Sequence, residues 1–281
     1  MTQIDFHLQL NHNDNWSMSR LHFHDYCEFL LPLTSPGNIF VNDQVYPLRR
    51  GTLYLIGENT LHRTIATGFH ARYVLHISRK ALSALSTPQT DFSRMAQSAF
   101  LRADMSNDQM ISLIERFQAL ERNKNDGAFG SDVHQAIALL DLLLQVAPIL
   151  DAATAGDAVR SKDFLRVSPI LDYIRDHLSE PLTLDLIAGQ FYLSKHYLCR
   201  IFKSATGFSV MEYIIYSRVL KARQLLKEGV SVQQAGELSG FSDNSHFIRT
   251  FGHLTGTSPG RYAREHQGSD AAPILGSSLK E

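Results

Sequence analysis

The stretches LCRIFKSATGFS at 198–209 and FIRTFGHLTGTS at 247–258 decide the reading of this chain, because they are two copies of one unit. Five of their twelve positions are identical (Arg200/Arg249, Phe202/Phe251, Thr206/Thr255, Gly207/Gly256 and Ser209/Ser258), and Leu198 is matched in character by Phe247. Each copy reads as helix, tight turn, helix. In the first, Leu182, Leu186, Ile187 and Phe191 fall on one helical face beside the small Ala188. Residues 193–194 then turn the chain, and Ser194 caps a helix that buries Leu198, Ile201, Phe202 and Ala205 before Gly207 ends it. In the second, Ser231 caps a helix over 232–239, Gly240 and Phe241 make the turn, and Asp243 caps a helix burying Phe247, Phe251 and Leu254.

The faces left outside carry the chemistry. They are Lys195, His196, Cys199, Arg200 and Lys203 in the first copy and Asn244, Ser245, Ile248, Arg249 and Gly252 in the second. A helix over 209–228, basic toward its end and stopped by Gly229, joins the copies. Twenty helical residues span about 30 Å, close to the roughly 34 Å between major-groove faces on one side of B-DNA. One rigid rod can therefore set two exposed helices into adjacent grooves. Lysine and arginine suit phosphates, and arginine and asparagine edges suit guanine and adenine. A helical scaffold for protein contacts is the competing reading, and it predicts no salt-dependent affinity for DNA.

The 281 residues leave room for two domains, and 44% hydrophobic with 20% charged residues is a globular composition. Cys27 and Cys199 form no disulfide framework and no CxxC signal, which suits a reducing cytoplasm. The amino terminus lacks a basic segment followed by an apolar run, so no secretory signal is expected. The most apolar stretch, 137–150, is interrupted by Asp141 and Gln145 and falls short of the ~20 residues that span a bilayer, so no membrane partner is expected. The net charge of −1 hides an asymmetry: residues 1–160 carry 13 basic against 16 acidic groups, and 161–267 carry 13 against 10. A polyanionic partner belongs to the second half. Residues 151–163 read as a linker, and 268–281 as a frayed tail.

The first half alternates like strands over 27–33, 38–41, 44–48, 52–56 and 71–77, with a tight hairpin at Asn42 and Asp43, as in a small barrel or sandwich. His22 and His24 share a face, Glu28 shares it four residues on, and His62 from another strand completes a set suited to a divalent metal. Tyr26, Arg49, Tyr54 and Arg72 are further candidates to line a pocket. After the strands, 108–122 and 133–150 read as helices with more apolar surface than one packing face needs, which marks either packing onto the strands or a dimer seam.

Residues 168–265 resemble the DNA-binding domain of the AraC/XylS family of bacterial transcription regulators. The resemblance rests on Ala188, Ser194, the run Leu198-Cys199-Arg200-Ile201-Phe202-Lys203, Gly207-Phe208-Ser209, Arg218 to Ala222 to Leu225-Leu226, Gly240-Phe241-Ser242-Asp243, His246-Phe247-Ile248-Arg249-Thr250-Phe251, and Gly256 through Pro259 to Tyr262. It implies base-facing His196, Cys199 and Arg200 in the first unit and Asn244, Ser245, Ile248 and Arg249 in the second. Two departures stand out. Gly236 replaces the small alanine of the second unit, at a helix cost of about 1 kcal/mol, and Gly252 replaces a lysine suited to phosphate.

The histidine set resembles the cupin metal motif, with H-x-H-x-x-x-E intact at His22, His24 and Glu28 and the second half kept in spacing from Gly51 to His62. The fold class expected is α+β in two domains. A cupin-like β-barrel with helices over 1–160 binds a small effector and dimerises, and an all-α domain of seven helices over 165–267 binds promoter DNA through two helix-turn-helix units. The spelling around His22 and His62 is most similar to sugar-responsive members such as chitobiose regulators. The resemblance implies a cytoplasmic homodimer that works with RNA polymerase and needs no obligatory cofactor, with a divalent metal at His22, His24, Glu28 and His62 as an option. The alternative from another class is a metal-dependent cupin enzyme carrying an appended helical domain.

Overall fold

The computed structural model describes residues 4–13, 21–35, 37–66, 68–123, 127–153 and 162–266. The expected tail at 268–281 and most of the expected linker lie outside the described residues. The chain divides into two compact units, the first built on residues 1–165 and the second on most of 166–281.

The first unit holds eight strands among its described residues: β1 (Phe6–Asn13), β2 (Cys27–Pro32), β3 (Gly37–Val41), β4 (Gln44–Pro47), β5 (Thr52–Ile56), β6 (His62–Ala66), β7 (His70–Ile77) and β8 (Phe100–Asp104). They form two antiparallel sheets, β1-β7-β2-β5-β8 and β4-β3-β6. Asn42 and Asp43 both adopt positive φ, 44° and 63°, the pair of left-handed residues that a two-residue hairpin demands. β1, β6 and β8, together with α1 (Arg79–Leu85), add to the elements expected from sequence.

Strand alternation sorts β7 into two faces. Tyr73, Leu75 and Ile77 join the large core, where α2 (Asn107–Arg122) contributes Leu113, Phe117 and Leu120 and α3 (Ser131–Asp151) contributes Leu139, Leu142, Leu143 and Val146. The Tyr73 and Phe117 rings stack at 4.9 Å. The other face carries His70, Arg72, Val74 and His76, and Val74 joins a smaller core with Leu30, Ile39, Tyr54 and Ile56.

Much of the apolar surface of α2 and α3 is therefore spent on the sheet, while Val133, Ile137 and Leu144 of α3 remain exposed. By length and composition α3 could cross a membrane, its most apolar window having a mean hydropathy of 1.7. Eight of its residues instead lie in the core.

The second unit has seven helices among its described residues: α4 (Lys162–Asp176), α5 (Leu184–Gln190), α6 (Lys195–Thr206), α7 (Val210–Lys227), α8 (Val232–Leu238), α9 (Asn244–Thr255) and α10 (Pro259–His266). The expected caps are in place. The Ser194, Ser231 and Asp243 side chains accept from the backbone N–H three residues on, and Ser209 and Glu212 form a reciprocal capping box. α7 is a strut tied at several points. Arg218 donates to the Leu178 and Glu180 carbonyls, and the buried Arg223 lies 4.9 Å over the Tyr262 ring of α10.

Candidate nucleic-acid interface and buried polar site

The two helix-turn-helix units, α5–α6 and α8–α9, bury one face and present the other. On α6 the residues Lys195, His196, Arg200 and Lys203 are exposed and Cys199 is half-buried, while Leu198, Ile201 and Phe202 are buried. Lys195 reaches Asp185 at 3.0 Å, and the Arg200 guanidinium sits 5.3 Å over the Tyr197 ring. On α9 Asn244, Ser245, Ile248 and Arg249 are exposed, around buried Phe247 and Phe251. All nine positions expected to face DNA thus lie on α6 and α9, and eight of them are exposed.

Gly236 proves to be more than a weak helix residue. A Cβ there would stand 2.8 Å from Cδ1 of the buried Phe247, so the missing methyl makes room for a ring larger than the Leu198 of the first unit. Gly252, by contrast, has open space around it, with nothing nearer to an added Cβ than the Thr257 carbonyl at 3.8 Å.

In the first unit the four expected residues do converge. The ligand atoms of His22, His24, Glu28 and His62 lie within 4.8 Å of one another. Glu28 projects from β2, His62 from β6 and His22 from the segment bridged to it, and the His22 and His62 ring centroids are 4.1 Å apart. A residue that the motif does not contain joins them. His76 lies directly across from Glu28 in the β2–β7 register and brings its Nε2 to 2.9 Å from Oε2. Alternation in 70–77 signals its face, but the cross-strand register that pairs it with Glu28 has no sequence signal.

The hydrogen bonds fix the histidine tautomers. The Nδ1 of His24 lies 3.0 Å from the Tyr26 carbonyl and that of His62 lies 2.9 Å from the Thr60 carbonyl. A carbonyl only accepts, so both Nδ1 atoms carry the proton, and a neutral ring then turns its Nε2 lone pair outward. Those Nε2 atoms stand 3.0 Å and 3.4 Å from the same Glu28 oxygen, and that of His62 has no hydrogen-bond partner. Two lone pairs facing a carboxylate repel unless a cation, either a ring proton or a metal ion, stands among them. Backbone carbonyls that orient histidines in this way are the outer support typical of metal ligands. Burial pushes the Glu28 carboxyl up, but its contacts with His24, His62 and His76 outweigh this and hold it well below the usual carboxylate range. Burial first, and then the neighbouring His62, lowers His22 to about 3.

The other pocket candidates separate. Tyr54 is consumed structurally, since its hydroxyl donates to the Pro47 carbonyl and accepts from the Arg49 N–H. The Arg49 side chain is exposed, and Tyr26 is about one-third exposed with its ring 6.4 Å from that of His76. Arg72 is buried and contacts the His70 ring at 3.2 Å.

Residues 187–265 match the family model described as a helix-turn-helix domain. Across its length the chain is 27% identical, over 247 residues, to the uncharacterized HTH-type transcriptional regulator YfiF of Bacillus subtilis, covering 86% of this chain and 78% of the relative. It is 26% identical over 257 residues to the HTH-type transcriptional activator RhaS of Salmonella arizonae, covering 90% and 89%. Among solved structures, the C-terminal domain of AraT, a response regulator from Geobacillus stearothermophilus, aligns with 28% identity and a TM-score of 0.37, covering 39% of this chain and 92% of that one. These relatives regulate transcription, which sets aside the cupin-enzyme alternative. With two capped helix-turn-helix units joined by a tied strut, residues 187–265 form a helix-turn-helix domain of the AraC type, and the chain is similar along most of its length to HTH-type transcription regulators.

Proposed function

We propose that this regulator reads promoter DNA with α6 and α9 and is controlled by a small polar effector held in the first unit. The observation that carries the DNA assignment is the duplicated exposed face. Arg200 and Arg249 occupy matched positions on α6 and α9, with His196, Cys199, Asn244, Ser245 and Ile248 beside them for base edges and Lys195 and Lys203 for phosphates. In the first unit, polar groups cluster between the two sheets around Glu28, and barrel and sandwich interiors of this kind commonly admit small ligands. A sugar is the class favoured, because it offers several hydroxyls to a histidine-rich, hydrogen-bonding wall. Val133, Ile137 and Leu144 remain exposed at spacings of four and seven along α3 and suit a two-fold helix seam, so the working form is a homodimer. It acts in the cytoplasm, where it meets RNA polymerase at the promoter.

The test is selection of genomic fragments by the purified protein at physiological salt, followed by footprinting of the enriched fragment. Expected are one or a few promoters with two protected major grooves one helical turn apart, and a footprint altered by the effector that the neighbouring genes nominate. Absence of enrichment with and without metabolite extracts would refute the reading.

The locked tautomers of His24 and His62 favour a second element, a divalent metal. His22, His24, Glu28 and His62 would hold it, and His76 would support Glu28 through Oε2. When bound, such an ion supplies a Lewis-acid anchor for an effector oxygen. Zinc, nickel or cobalt is expected to raise the unfolding temperature of the wild type and not of Glu28→Gln. An equal response in both removes the metal.

A further inference from the structure

We infer that Tyr192 is a DNA-backbone contact kept at the entrance of the first recognition helix at the expense of an unstrained turn. Three helices of the second unit end in the same way. The N–H one residue past the left-handed position bonds back across five residues: Leu193 to the Ala188 carbonyl at 2.8 Å, Val230 to Leu225 at 3.0 Å and Phe241 to Gly236 at 3.0 Å. The left-handed residue of such an ending is ordinarily glycine, because a Cβ crowds the neighbouring carbonyl there. Two of the three endings obey, with Gly229 at φ +88° and Gly240 at +98°. The third has Tyr192 at +54°.

The exception has no internal reason. Tyr192 is 97% exposed, so its ring gains no core packing to offset the steric penalty. The matched position in the second unit is Gly240, where the backbone of Leu178 would collide with a Cβ, so the two turns have diverged although they share one hydrogen-bond pattern. A bulky residue held in a sparsely populated conformation and displayed to solvent points to a use outside the chain.

Its position says which use. Tyr192 stands two residues before Ser194, the cap of α6, and the first exposed groups of that helix are Lys195 and His196, followed by Arg200 one turn on and Lys203 two turns on. Three of these four side chains are cationic, Lys195 in a pair with Asp185, which suits a phosphate-lined partner. An aromatic ring with a hydroxyl at its tip suits the sugar face and phosphate oxygen at the lip of the groove that α6 enters. The first unit thereby gains an anchor that the second, with Gly240, lacks.

This inference rests on the DNA reading of α6, and the experiment separates the two. Wild type, Tyr192→Gly, Tyr192→Ala and Arg200→Ala, all as the full chain, are titrated with the footprinted genomic fragment across a salt series, and each is melted. Tyr192→Gly is expected to melt higher than wild type, because the turn regains its favoured residue, and yet to bind about five-fold more weakly, the size of one lost neutral hydrogen bond with its apolar contact. Tyr192→Ala, which keeps the Cβ constraint, is expected to lose the same affinity without the gain in melting temperature. Both keep the wild-type salt slope, since no charge is removed. Wild-type affinity in both tyrosine variants while Arg200→Ala binds weakly overturns the Tyr192 contact and leaves the DNA reading standing. Wild-type affinity in all three overturns both. Unchanged DNA affinity with reduced transcription by added RNA polymerase also overturns the contact and assigns the ring to a protein partner.

Discussion

Replacing Gly236 with alanine pits two calculable effects against each other. In a helix interior the change is worth about 1 kcal/mol of stabilisation. Here the new methyl would lie 2.8 Å from Cδ1 and 3.1 Å from Cγ of Phe247, a ring with no exposure and flanked by Phe241 and Phe251 at centroid distances of 5.2 Å and 5.7 Å. Overpacking of this kind costs about 1–3 kcal/mol. The balance is destabilisation by about 1 kcal/mol, or a fall of roughly 4–8 °C in the melting temperature of a domain this size. Phe247→Leu alone leaves a void and also destabilises. The double variant recreates the Ala188/Leu198 pairing of the first unit, so its loss should be smaller than the sum of the single losses, with a coupling of about 1 kcal/mol. Calorimetry of the full chain reads all four corners of the cycle. A Gly236→Ala protein that melts above wild type, or a double variant that is merely additive, would show that the second unit does not use the missing methyl to seat its phenylalanine.

Gly252 supplies the opposite case. Its surroundings are open, so Gly252→Ala should raise stability by about 1 kcal/mol in the same calorimetric assay, and Gly252→Lys should tighten DNA binding with a steeper salt slope. Unchanged affinity for the lysine variant would place that face of α9 away from phosphate. Arg200→Ala and Arg249→Ala should each weaken specific binding by about 1–3 kcal/mol in a titration of the selected fragment, and wild-type affinity in either case removes that residue from the interface. Burial, reinforced by Arg72, lowers His70 from 6.5 to about 4. Between those values the unfolded chain takes up a proton that the folded chain refuses, so stability is complete above pH 6.5 and declines by up to about 1.4 kcal/mol per pH unit as the pH falls toward 4. Melting curves from pH 7.5 to 5 should be steeper for wild type than for His70→Gln, and parallel curves would count against a buried neutral ring.

The helix-turn-helix half was the more legible part, because its information is local. Capping residues sit within three positions of the groups they bond, and the duplicated spelling of 198–209 and 247–258 discloses the unit without any partner strand. What sequence misjudged there was Gly236, since a propensity scale knows the helix but not the ring across from it. In the first unit, strands with a continuous apolar pattern such as Thr52–Ile56 were plain. β6 was not, because its buried residues, His62 and Thr64, are polar: the strand that lines the site gives up the alternation by which strands are recognised. β1 is an edge strand with a half-exposed face, and β8 is short and far in sequence from its partner β5. His22, His24, Glu28 and His62 were found by spacing. His76 depends on which residue of β7 lies opposite Glu28, and only register decides that.

The two sheets of the first unit have a mechanical relationship at one edge. Glu28 and His76 belong to the five-stranded sheet, whereas His62 and the bridged His22 belong with the three-stranded one. Any ion or effector gripped by both groups acts as a rivet through two plates that share no continuous ladder at that point. Its arrival would stiffen the opening between them, and slower amide exchange in β6, the thinner plate, would register the change before any reading helix moves.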